Sequence, residues 1–160
     1  METLARFLRC AAHLPIQEPT SGPRLAAGLG WELGVERLAR ADWMLESTDE
    51  GRMVLRLREG LAPRELNFAA FEGLAAYYGQ GCFDAAELAL TLAMPYEVLV
   101  PFTARLQPVA VADYFRVPVR VARERLRQLG WLRPMQRAEP ESGYRLRVGV
   151  WAPEARVTGS

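Results

Sequence analysis

The run P-R-E-L-N-F-A-A-F-E-G-L-A-A-Y-Y, Pro63 to Tyr78, constrains this chain more than any other stretch. Leu66, Phe68, Phe71, Leu74, Ala75, Tyr77 and Tyr78 leave almost no polar face. A helix that is apolar nearly all round must lie inside a domain, covered on several sides. Pro63 suits the first helical position, where its missing N–H costs no hydrogen bond. G-Q-G, Gly79 to Gly81, suits the end. The spacing therefore predicts a central helix over roughly Arg64–Tyr78. The remaining residues have to supply its cover, and 160 of them are enough. A chain of about 150 residues hides roughly 70% of its unfolded surface.

On the N-terminal side, Leu4, Phe7, Leu8 and Ala11 form a helical stripe over Thr3–His13, stopped by Pro15. Pro15 to Pro23 holds three prolines, a Gly and a Ser and reads as a loop. Arg24–Arg40 reads as a second helical region, with Trp31, Val35, Leu38 and Ala39 as its inner face and three glycines weakening its first half. The period then changes to two. Asp42–Ser47 and Arg52–Arg58 flank T-D-E-G, and Met53, Leu55 and Leu57 alternate with Val54, Arg56 and Arg58, which predicts a β-hairpin.

Past the central helix, Asp84 and Glu87 have the spacing of a capping box, opening a helix that Pro95 ends. A short helix is expected over Tyr96–Leu106. Residues 109–130 read as two helices at a tight R-V-P turn, and Trp131–Trp151 as a second, smaller hairpin. The expected class is α+β: a small antiparallel sheet packed on helices, followed by a helix-turn-helix and a short hairpin. The expected division is residues 1–107, then 108–153, then a flexible tail over 154–160.

Composition narrows the chemistry. Two cysteines are too few for a disulfide framework or a thiolate zinc site, and one histidine excludes any site that needs two imidazoles. Cys10 and Cys82 are expected to be buried thiols. No apolar run approaches the ~20 residues of a membrane span, and the first residues lack the regions of a signal peptide. These points lead to an expectation of a cytoplasmic, reduced protein with no membrane partner. All 20 basic residues are Arg. Residues 1–115 carry 10 Arg against 15 acids, a net of −5; residues 116–160 carry 10 against 4, a net of +6. A basic end on an acidic body fits a nucleic-acid surface, a solvated helix face or an intramolecular complement.

Two further stretches carry a resemblance. Asp84 to Pro95 reads D-A-A-E-L-A-L-T-L-A-M-P, and Val111 to Gly130 reads V-A-D-Y-F-R-V-P-V-R-V-A-R-E-R-L-R-Q-L-G. Together with the hairpin and the apolar helix, they make the stretch from Asp42 to Leu132 resemble the ImmA/IrrE-type zinc metallopeptidase domain. That family has an A-H-E-x-x-H helix, an E-A-N-x-F-A-A-x-L-L-M-P segment and a segment like L-A-x-x-F-x-V-S-x-x-x-x-x-x-R-L-x-x-L-G. The resemblance implies a zincin-like fold of the minigluzincin type. It places the metal motif on F-E-G-L-A after Ala70. Phe71 then stands at the first ligand position, Ala75 at the second, Asp84 at the third, and Glu72 where the family has its general base.

The chemistry of H-E-x-x-H needs two imidazoles one helical turn apart to hold Zn²⁺, with the Glu taking a proton from metal-bound water. The metal lowers that water's pKa from 15.7 toward ~7. Phe71 and Ala75 offer no lone pair, so the expectation is no zinc, no cofactor, no catalytic residue and no peptidase activity, with Glu72 vestigial. Phe71 is expected to fill the former metal cavity. If Glu72 is buried, desolvation favours its protonated form. Cys82, Asp84, Glu72 and His13 are the remaining candidate donors, and they are scattered in sequence. For Asp84 the cap needs only local spacing.

In the second helix of the C-terminal pair, Val119, Ala122, Leu126 and Leu129 read as the core face. Arg120, Arg123 and Arg127 lie on another face, with Arg125 elsewhere. Such a face suits a major groove, where Arg reads guanine, and the following hairpin suits a wing, with Arg145 and Arg147 near phosphates. The other reading packs the pair on the preceding domain. Active members of the resembled family cleave helix-turn-helix repressors. By analogy, the expected function is a pseudo-metallopeptidase that binds a protein, such as a helix-turn-helix repressor or a second copy of itself, in transcriptional or stress-response regulation. The alternative is a winged-helix DNA-binding protein that uses the basic end.

Overall fold

A computed structural model describes residues 1–101 and 107–132, and the backbone of 150–151. Its elements are α1 (Glu2–Ala11), α2 (Gly22–Gly28), β1 (Glu32–Glu36), β2 (Trp43–Ser47), β3 (Met53–Arg58), α3 (Pro63–Tyr78), α4 (Ala85–Ala93), α5 (Tyr96–Leu99), α6 (Pro108–Phe115), α7 (Val119–Gln128) and β4 (Val150–Trp151). The class is α+β, as the sequence predicts.

The sheet departs from the expected antiparallel form. Its order is β1-β3-β2-β4, and it is mixed. β2 pairs antiparallel with β3, which is the expected hairpin, with Leu45 opposite Leu55. β1 runs parallel to β3, Leu33 beside Leu55 and Val35 beside Leu57, and β4 runs parallel to β2.

The second helical region is correspondingly corrected. The helix stops at Gly28, and residues 32–36, expected to be helical, form β1. Gly30 explains the break. It adopts φ +81, a left-handed conformation that glycine alone takes without a Cβ penalty. The Gly30 N–H donates to the Ala27 carbonyl and the Trp31 N–H to the Ala26 carbonyl, which closes the helix end. Trp31 is buried, but against Tyr77 and Tyr78 of α3, with ring centroids at 5.2 and 5.7 Å. Val35 is exposed.

α3 sits where its composition requires. Every residue from Asn67 to Ala75 is buried. Three layers cover it. The sheet approaches at Gly73, where an added Cβ would lie 2.6 Å from Leu55 Cδ1. α2 approaches through Gly22, where a Cβ would lie 2.6 Å from the Asn67 carbonyl oxygen and 2.7 Å from Ala70 Cβ. α4 brings Leu88, Ala89, Leu92 and Ala93, all at 0% exposure, into the same core. Each wholly buried Leu or Phe of this cluster contributes about 1.5–3 kcal/mol of transfer free energy.

Asp84 is the N-cap of α4, its Oδ1 accepting from the Glu87 N–H at 2.9 Å, as the capping spacing predicts. The short helix after Pro95 is shorter than expected: α5 ends at Leu99, and residues 102–106 lie outside the described residues. Of the predicted second hairpin only Val150–Trp151 is described, as the strand that joins β2. Arg145, Arg147 and the tail from 154 lie outside the described residues. Cys10 and Cys82 are exposed, not buried. Cys10 lies on the outward face of α1, away from buried Ala5 and Leu8. Cys82 lies in the exposed turn after α3. Among the described residues no helix is long and apolar enough to cross a membrane.

Candidate functional site

The positions that the resemblance assigns to metal ligands on α3 lie in the core. Phe71 and Ala75, one turn apart on α3, are both at 0% exposure. A phenyl ring and a methyl group thus fill the positions where the resembled family carries imidazoles, and neither has an electron pair for a cation. Glu72, between them, is 4% exposed and has an interaction partner. Asp84 is exposed, and its carboxylate is engaged by the α4 N-terminus. Buried Phe71 and Ala75 and exposed Asp84 therefore do not share one environment. His13 and Cys82 are exposed as well, His13 with φ 55 just beyond α1. Among the described residues no three His, Cys, Asp or Glu side chains are grouped to hold a metal ion. The residues present do not fit a zinc centre: a tetrahedral site needs three or four N, S or O donors, and of Phe71, Glu72 and Ala75 only Glu72 carries one.

The second candidate site is the helix pair α6 and α7. Val111, Ala112 and Phe115 face inward from α6. The chain then turns in three residues. Arg116 takes φ 53, ψ 43, the left-handed cap that ends α6, Val117 is buried, and Pro118 is the N-cap of α7. From α7, Val121, Ala122, Arg125 and Leu126 are buried. Ala122 and Leu126 match the predicted face, while Val119 and Leu129 are only half-buried.

Arg125, which the sequence sets apart from the other arginines without giving it a role, is the residue that sequence reasoning missed. It is 2% exposed. Its Nε donates to the Met94 carbonyl at 3.1 Å, its Nη1 to Gln128 Oε1, and its Nη2 pairs with the Glu2 carboxylate of α1. Desolvation by burial lowers its pKa from the usual guanidinium value, and the Glu2 and Glu87 charges oppose that shift. An arginine still keeps its charge at any ordinary pH. Arg125 therefore acts as a buried tie between α7, the end of α4 and the start of α1. A stripe of apolar residues gives no sequence signal for it, since its partners are remote along the chain.

The three arginines of the proposed reading face are exposed, in unequal settings. Arg120 forms a two-pronged pair with Glu65 in the first turn of α3. Arg127 pairs with Glu124 one turn back on α7, at 3.1 Å. Arg123 makes no ion pair among the described residues. Arg64 pairs with Asp113 of α6 at 2.6 Å. The start of α7 is thus tied to the start of α3, with Ala62, Pro63, Pro118 and Val119 lining a shallow groove between them.

No family model and no curated protein matches the chain. A solved structure of a Mycobacterium tuberculosis transcriptional regulator is similar in fold, with a TM-score of 0.59 at 18% identity, covering 86% of this chain and 48% of that one. The chain spans about half the length of that structure. At this identity the likeness bears on the fold.

Proposed function

We propose that this protein is a non-catalytic relative of the ImmA/IrrE-type metallopeptidases, and that it works by binding a protein in the regulation of transcription or of a stress response. The observation that carries this reading is α3. Its F-E-G-L-A motif is in register with a metal helix, yet Phe71 and Ala75 are packed into the core at 0% exposure. The former metal position is then part of the hydrophobic core, and the domain needs no metal to hold together. The fold-level likeness to a transcriptional regulator supports a regulatory role by analogy. The chemistry open to Glu72 is limited: without a metal beside it, a buried carboxylate meets no activated water.

A second reading, DNA binding through α7, has the three-residue turn of a helix-turn-helix and exposed Arg123 and Arg127 in its favour. Against it stands the docking of the α7 start. A recognition helix presents its N-terminal residues to base edges, whereas Arg120 is engaged with Glu65 and the turn before it is bonded to Asn67 of α3.

Fluorescence anisotropy with mixed-sequence duplex DNA at low and moderate salt separates the two readings. The protein-binding reading expects weak association that is indifferent to charge reversal at Arg120, Arg123 and Arg127. Tight association that falls steeply with salt and is lost on charge reversal would favour DNA. Zinc content and peptidase activity, expected to be absent, test the loss of catalysis.

A further inference from the structure

Among the described residues two arginines are buried, Arg9 and Arg125, and only Arg125 is satisfied. Arg125 donates from Nε, Nη1 and Nη2 and has the Glu2 carboxylate as its counter-charge. Arg9, on α1 and 1% exposed, donates from Nη2 alone, to the carbonyls of Pro15 and Glu18. Its Nε and Nη1 are buried without a partner. No carboxylate forms an ion pair with it among the described residues, and Glu97, the nearby acid, is paired with Arg6 at 3.2 Å. Desolvation by burial lowers the Arg9 pKa, opposed chiefly by the Glu97 charge. An arginine keeps its charge at any ordinary pH, so the fold encloses a cation with idle donors. Buried charges are ordinarily paired and fully hydrogen-bonded.

The segment lying on this guanidinium is residues 15–20. Its two ends are fixed. The Leu14 N–H donates to the Arg9 carbonyl at 2.9 Å, and Ser21 is the N-cap of α2, its Oγ accepting from the Arg24 N–H. Between those ends, Arg9 supplies the only hydrogen bonds that residues 15–20 make among the described residues. Pro15, Gln17 and Glu18 are exposed, Ile16 and Pro19 half-buried. Thr20, at the inner end, is buried with its Oγ1 also unpartnered.

We infer that residues 15–20 form a strap over an anion site: the strap lifts, and the Arg9 guanidinium takes a small oxyanion, phosphate or carboxylate. Lifting the strap gives up two bonds to carbonyls that water can replace, and it hydrates Nε and Nη1, which the closed form leaves idle. It also frees Nη2. A guanidinium then offers two parallel N–H groups along one edge, the fork that matches a carboxylate or a phosphate. Water fills the donors without balancing the charge, whereas an oxyanion does both. An anion that binds only the lifted form draws the population toward it. The inference stands apart from the pseudoenzyme reading, because the site uses no residue of α3 or α7.

Phenylglyoxal labelling of the folded full chain, read at each arginine by mass spectrometry, tests it. Arg9 should react about tenfold or more faster than Arg125, since two of its donor groups gain partners on opening. Sodium phosphate or sodium acetate, replacing chloride at constant ionic strength, should slow Arg9 and leave Arg37, with 93% of its side chain exposed, at its chloride rate. Protection by phosphate alone assigns a phosphate ligand, and protection by acetate alone a carboxylate. Arg9 reacting as slowly as Arg125 overturns the inference, because the strap then stays shut. Fast reaction that neither anion slows also overturns it, because the strap then opens to water only. The second readout is the unfolding midpoint of the wild type and of Arg9→Met in the protecting anion and in chloride. Phosphate stabilises folded chains generally through exclusion from their surface, so the difference between the two chains decides. A larger rise for the wild type is expected, and equal rises contradict the site. The labelling uses the wild type, so an Arg9→Met chain that fails to fold leaves the test intact.

Discussion

Asn67 donates through Nδ2 to the carbonyl of Arg116 at 2.9 Å, reaching from the second turn of the central helix to the left-handed residue that ends α6. The same carboxamide accepts from the Gly22 N–H at 2.8 Å through Oδ1. One buried side chain thus satisfies the first turn of α2 and the turn of the helix pair at once, two segments that a helix of apolar residues alone would leave with unpaired backbone groups. Replacing Asn67 with Leu orphans both. Each orphan costs about 1–3 kcal/mol, so Asn67→Leu should lower unfolding stability by roughly 2–6 kcal/mol in a denaturant titration. A loss under about 0.5 kcal/mol would mean that water replaces both partners.

Gly73 is the point of closest approach between α3 and the sheet. A Cβ there would meet Leu55 Cδ1 at 2.6 Å and Trp43 Cε3 at 3.6 Å. Alanine favours a helix by about 1 kcal/mol over glycine, so on helix propensity alone Gly73→Ala should stabilise. Overpacking a dense core costs about 1–3 kcal/mol. The expected outcome is net destabilisation on thermal unfolding, and a raised melting temperature would show that the helix and sheet are looser than this contact requires.

Arg125→Ala removes three interactions and leaves the Met94 carbonyl buried without its donor. Glu2, its carboxylate partner, has 45% of its side chain exposed and can return to water. The expected loss is about 2–3 kcal/mol, dominated by the orphaned carbonyl and the emptied space. Arg125→Met, which fills the space, should lose less. Equal losses for both variants would show that packing is not part of the tie.

Burial raises the Tyr78 pKa above its ordinary value of 10.0, with the neighbouring Tyr77 acting the same way and a hydrogen bond with Trp31 opposing it. The folded chain therefore holds the phenolic proton more tightly than the unfolded one. This contribution to stability is complete below pH 10.0 and is lost as pH rises through the folded pKa. Denaturant midpoints measured from neutral pH into this alkaline range should fall more for the wild type than for Tyr78→Phe. Parallel curves for the two chains would rule out this linkage.

What was legible in the sequence follows from where the information lies. α3 could be read because burial on all sides writes itself as an unbroken apolar run, and the Asp84 cap because its chemistry is local to Glu87. The turn of α6 and α7 was legible for the same reason, in R-V-P. β1 was not, since its alternation rests on two apolar residues only, Leu33 and Val35, and Trp31, Val35, Leu38 and Ala39 happen to fall at helical spacing. Arg125 was illegible because its burial is decided by Glu2 and Met94, at sequence separations of 123 and 31. The engagement of Arg120 by Glu65 is equally remote, 55 residues away. For the proposed metal positions, the donorless Phe71 and Ala75 were plain in the sequence, while the exposure of Asp84 needed the fold.

Zinc content decides the central point, that α3 is a metal helix turned into packing. The protein should be purified without chelator, incubated with excess Zn²⁺, desalted and measured by elemental analysis beside its thermal unfolding. With no lone pair at Phe71 or Ala75, the expected result is far below one zinc per chain and an unchanged melting temperature, since a ligand that binds only the folded state raises it. About one zinc per chain, lost together with stability on adding a chelator and abolished by Glu72→Gln, would contradict it.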